Sequence, residues 1–117
     1  MSICGIEQIS VIQQDVTRAA TTAVVLQGPE NVVDITLDGN ITTLNVSGGK
    51  EGDKVTFRLL QDGTGSRTVG WGSMFRFSTT YASPTLSTDA DTMDRVSFQY
   101  NAASETYDCI EVNLEFA

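Results

Sequence analysis

The chain has 117 residues, 40% of them hydrophobic and 19% charged, and a formal net charge of −8 from 15 acidic and 7 basic residues. That length builds one domain around a single core and is too short for two. The acidic balance excludes nucleic acid as a partner, since phosphate binding needs clustered Lys and Arg, and no apolar run approaches the roughly 20 residues of a membrane-spanning helix.

In chain order, Met1 to Gln14 carries Ile3, Ile6, Ile9 and Ile12 at every third position, while Ile9 and Val11 also fit strand alternation. The periodicity does not choose between helix and strand. The segment lacks the basic start and continuous apolar core of a secretory signal, so folding in a cytoplasm is expected. We take residues 1–20 as an apolar arm and connector, and residues 21–117 as the domain. Thr21 to Gln27 reads as a strand closed by the turn signal Gly28-Pro29-Glu30-Asn31. Val33, Ile35 and Leu37 alternate on one face, and Asp38-Gly39-Asn40 predicts a tight hairpin into the strand that begins at Ile41.

Lys54 to Phe77 is the central stretch and predicts a second hairpin. Val55, Phe57 and Leu59 share one face, and Thr56, Arg58 and Leu60 share the other. Gln61 to Ser66 supplies the reversal, and Val69 and Trp71 resume the apolar face. Ser78 to Thr92 is a polar loop long enough to be functional. Val96, Phe98 and Tyr100 then alternate. In the last strand, Thr106 to Phe116, alternation predicts Ile110, Val112, Leu114 and Phe116 on one face and Cys109, Glu111, Asn113 and Glu115 on the other. Short strands at this spacing predict an all-β fold: a single antiparallel β-sandwich, jelly-roll-like, of about eight strands with an N-terminal arm.

Chemistry finds little footing. The chain has no histidine, which removes the commonest general base and most transition-metal sites. Cys4 and Cys109 form no CxxC, and they read as free thiols. Asp89, Asp91 and Asp94 lack the glycine and distal glutamate of an EF-hand. Gly63 and Gly65 lack the lysine and helix of a phosphate loop. No catalytic residue, metal or cofactor is expected.

The run Gln61 to Ser73, QDGTGSRTVGWGS, resembles a segment that recurs in bacteriophage virion proteins. Proteins with this segment continue with an aromatic strand, a loop ending P-T-L-S-T and a strand of the form D-x-x-S/T-F-x-Y. This chain supplies Met74-Phe75-Arg76-Phe77, Pro84-Thr85-Leu86-Ser87-Thr88 and Asp94 to Tyr100 in that order. Upstream, Leu37 to Leu44 matches L-x-G-N-x-T-x-L.

The resemblance implies a β-sandwich module of tail fibres, baseplate-associated proteins and small capsid decoration proteins, with no catalytic residues to carry over. Because the module fills nearly the whole chain, the expected function is capsid decoration. A homotrimer on the exterior of the virion head would bind the major capsid protein through Ile3, Ile6, Ile9, Val11 and Ile12. The alternative is a tail-fibre or receptor-binding module that meets host glycans through Tyr81 and Leu86 of the long loop.

Overall fold

The computed structural model describes residues 11–117. Among them are nine strands and no helix: β1 Val11–Asp15, β2 Thr21–Val25, β3 Glu30–Leu37, β4 Ile41–Ser47, β5 Lys54–Gln61, β6 Val69–Trp71, β7 Phe75–Arg76, β8 Met93–Asn101 and β9 Thr106–Phe116. They form a six-stranded sheet ordered β1-β3-β5-β8-β9-β7 and a three-stranded sheet ordered β2-β4-β6.

The all-β expectation holds, but the antiparallel plan does not describe these sheets. From β1 to β6 successive strands alternate between the two sheets, and every pairing among them is parallel. The chain therefore winds as a coil, each turn laying one rung on each sheet. Val11 pairs with Glu30 and Glu30 with Lys54, so the large-sheet rungs lie 19 and then 24 residues apart. Only β5–β8 and β8–β9 are antiparallel; that hairpin follows the last turn of the coil, and the short β7 pairs in parallel with β9 at the edge of the sheet.

Neither expected hairpin exists. Asp38-Gly39-Asn40 links β3 to β4 in the opposite sheet, and β5 and β6 likewise sit in different sheets. The corners stack instead of reversing the chain. Arg18 from the first turn pairs with Asp38 at 2.5 Å and donates to the Asn40 carbonyl at 3.1 Å. The Asn40 side chain in turn accepts the Thr68 N–H at 3.0 Å. At the other end of the rungs, buried Asn31 donates to the carbonyls of Gly28 and Lys54 and accepts the Gln27 N–H. These side chains satisfy backbone groups that a ladder cannot reach at a corner.

Both sheets face one core. Val33, Ile35 and Leu37 of β3, Leu44 and Val46 of β4, Val55, Phe57 and Leu59 of β5, and Val96 and Phe98 of β8 are all buried there. Phe57 stands at its centre, edge-on to Trp71, Phe75 and Phe98 at 5.8–6.1 Å between ring centroids. Such geometry suits the aromatic quadrupole. β6 fits beside β4 because Gly70 has no side chain. A Cβ there would lie 2.1 Å from the Thr42 carbonyl oxygen.

The last strand departs from simple alternation. Phe98 pairs with Cys109 and Ser97 with Glu111, so Ile110 is an extra residue in β9. Such a bulge shifts the alternation by one place. Tyr107 and Cys109 are therefore buried and Ile110 is exposed, while Val112, beyond the bulge and opposite Val96, packs on the core. A second register shift, between Met93 and Arg95, precedes the pairing of Phe116, and Leu114 and Phe116 are exposed. The Cys109 thiol is free, and burial pushes its pKa up. Cys4 lies outside the described residues.

Residues 11–15 of the expected arm form the edge strand of the large sheet. Val11 is exposed there, while Ile12 is half-buried with its side chain against Gly28. Ile3, Ile6 and Ile9 lie outside the described residues.

Candidate ligand cleft between two clamped loops

The loop after β5 and the loop before β8 are fastened to each other. Gln61 ends β5 with its side chain buried. Its Nε2 donates to the carbonyls of Arg67 at 2.9 Å and Ser87 at 3.0 Å, and its Oε1 accepts the Arg67 N–H at 2.9 Å. Backbone bonds run alongside. The Gln61 N–H donates to the Thr92 carbonyl, Ser66 N–H to Thr88, and Asp91 N–H to Asp62. Gly65 sits under this second loop at φ 76°, where a Cβ would meet the Thr88 carbonyl oxygen at 2.5 Å. Only glycine combines that backbone with so close an approach.

Two aspartates finish the clamp. Asp62 accepts the N–H groups of Thr64 and Gly65 and pairs with Arg67 at 2.9 Å. The Arg67 hydrogen bond is the main reason its carboxyl is held down at about 2, with the two backbone donors helping and desolvation opposing. Arg67 is raised by the same contact. Asp94 accepts from the Ser87 N–H and hydroxyl at 2.7 and 2.8 Å and from the Glu115 N–H at 2.8 Å. Of the Asp89, Asp91 and Asp94 run, Asp94 thus serves the backbone. Among the described residues no group of three or more His, Cys, Asp or Glu is gathered to hold a metal.

Between the clamped loops lies a cleft of about 240 Å³. Hydroxyls of Ser66, Thr68, Thr85 and Thr88 share it with Arg67, over apolar Val69, Pro84 and Leu86. Its residues form no nucleophile–base pair. Hydroxyls, one guanidinium and an apolar floor suit a polyhydroxylated ligand, which has both polar edges and C–H faces.

The alternative contact residues divide here. Leu86 lines the cleft and also packs on the core. Tyr81 packs on the core without lining the cleft, its backbone closing a tight loop with Ser78. Val11 and Ile12 belong to β1, and neither lines the cleft. Sequence reasoning did not identify Gln61 and Asp62 as clamps. The signal was present, since both open the QDGTGSRTVGWGS block, but local pattern does not say that a glutamine at a strand end reaches a loop 26 residues on.

The described residues thus form a coiled all-β module that carries a walled cleft. A family model described as "Putative phage tail fibre C-terminal domain" matches residues 19–103, which hold both walls of the cleft. The chain belongs to this family, a phage virion module found at the C-terminal end of tail fibres. No curated protein and no solved structure matches it. Membership favours the tail-fibre alternative over capsid decoration, for which there is no support.

Proposed function

We propose that this module is the adhesive tip of a phage tail fibre and that it recognises saccharides of the host envelope in the cleft between residues 65–69 and 84–88. The supporting observation is the clamp. Gln61, Asp62 and Asp94 fix both walls before any ligand arrives, so binding loses little loop entropy. Threonine and serine hydroxyls at the rim exchange hydrogen bonds with sugar hydroxyls, and Leu86 and Val69 meet the sugar's C–H face. Binding is the whole activity; no bond is made or broken.

The test uses the purified full chain, fluorescently labelled, on cells that adsorb the parent phage. Thr85 is exposed at the rim. Thr85→Trp fills the cleft and is expected to abolish adhesion while circular dichroism and thermal midpoint stay unchanged. Undiminished adhesion by this variant sinks the assignment to this cleft.

A further inference from the structure

The outer face of the large sheet carries an arrangement that the cleft does not use. Arg58 of β5 and Arg95 of β8 are direct cross-strand partners. Like charges placed so repel each other. Arg58 is neutralised by a two-pronged pair with Asp34, both contacts at 2.6 Å. Arg18, Arg67 and Arg76 each have an aspartate as well. Among the described residues Arg95 alone of the arginines has no carboxylate partner. Its guanidinium lies 5.5 Å from the centre of the Phe116 ring, and its Nε is enclosed without an acceptor. A half-buried guanidinium left without an anion, where every other described arginine has one, points to a missing acceptor.

A groove of about 220 Å³ opens on this side chain, with Thr56, Ser97 and Glu111 on its walls. The Thr56 and Ser97 hydroxyls are 2.8 Å apart and bonded to each other. We propose that this groove is a second saccharide subsite, selective for the carboxylate of an acidic sugar such as a uronic acid. Through its two terminal Nη groups, and not the enclosed Nε, the Arg95 guanidinium matches a planar carboxylate with two parallel N–H···O bonds. Glu111 accepts hydrogen bonds from ring hydroxyls of the same sugar, and it repels a phosphate dianion. A monoanion bearing hydroxyls satisfies both walls, whereas a neutral sugar leaves Arg95 unmatched. The saccharide as source rests on the adhesion reading above; the carboxylate chemistry rests on Arg95 and Glu111 alone.

The experiment is ligand-observed NMR on the full chain with galacturonate, glucuronate, galactose and inorganic phosphate. Both uronates are expected to bind at least about tenfold more tightly than galactose or phosphate, the scale of one charge-assisted pair. Arg95→Gln is expected to erase that preference, and Arg95→Lys to keep only part of it, lacking the fork. Glu111→Gln, a solvent-side change, is expected to raise phosphate binding several-fold toward the level of the uronates. The proposal is overturned if no uronate binds, if galactose or phosphate binds as well as uronate, or if the uronate preference survives Arg95→Gln. Should Arg95→Gln fail to fold, an unchanged uronate-to-phosphate ratio in Glu111→Gln overturns it equally. Thr85→Trp separates the two readings. Lost adhesion with intact uronate binding upholds both, and intact adhesion with intact uronate binding removes the cleft assignment alone.

Discussion

Replacing Gln61 with leucine keeps the size of the side chain and removes all of its hydrogen bonding. The amide makes three bonds, to the Arg67 and Ser87 carbonyls and from the Arg67 N–H, in a site only 2% exposed. At roughly 1 kcal/mol net for each bond, Gln61→Leu is expected to cost about 3 kcal/mol. For a domain of this size that lowers the thermal midpoint by about 12 °C, at roughly 4 °C per kcal/mol. Urea unfolding followed by circular dichroism gives the free energy directly, and an unchanged slope would show that the loss lies in stability. Gln61→Glu separates hydrogen bonding from shape. A carboxylate still accepts the Arg67 N–H but faces two carbonyl oxygens, which raises its pKa in the fold. Its damage is therefore smallest below the unfolded carboxyl value of roughly 4.3 and grows as pH rises through the folded value. A Gln61→Leu loss under about 1 kcal/mol, or a Gln61→Glu penalty that is flat with pH, would refute the clamp.

Asp62, held at about 2 in the folded protein, contributes stability that is full above its ordinary value of 3.8 and is lost as pH falls through about 2. Urea midpoints measured from pH 5 to pH 2 are expected to fall less steeply in Asp62→Asn than in the parent. Gly70→Ala places a methyl 2.1 Å from the Thr42 carbonyl oxygen and is expected to cost about 2 kcal/mol or more by the same measurement. Asn31→Ala removes three hydrogen bonds from a residue 1% exposed. It is expected to cost about 3 kcal/mol and to speed hydrogen exchange at the Gln27 amide.

Local pattern carried the positions of the strands and little about their partners. Val33, Ile35, Leu37, Phe57 and Leu59 read inward from period-two alternation, and all are buried. Alternation is the same in parallel and antiparallel strands, so it is silent on winding. Asp38-Gly39-Asn40 has hairpin chemistry, yet a corner between two sheets asks for the same permissive residues, and the deciding contacts come from Arg18 and Thr68, 20 or more positions away. The coil also leaves no readable repeat. Its rungs differ in length, and the side chains stacked from turn to turn, such as Glu30 on Lys54, need not be alike. In β9 two register shifts break the inferred alternation, because alternation counted through a bulge comes out one place wrong. Cys109 and Ile110 exchange faces at the first, Val112 keeps the core face between them, and Leu114 and Phe116 at the second are exposed. Of the cleft, Leu86 and the Gln61 to Ser73 block were visible as sequence. Their meeting across a buried amide depends on tertiary placement.

The antiparallel pair β8–β9, laid against the last parallel rung, works as a stop on a stack that otherwise has no natural end. Each rung touches chiefly the rung before and the rung after, so a whole turn added or deleted upstream disturbs only its immediate neighbours. Length and end-face chemistry are then separable variables. Such a module tolerates changes in how far it extends while the chemistry at its far face stays as it was.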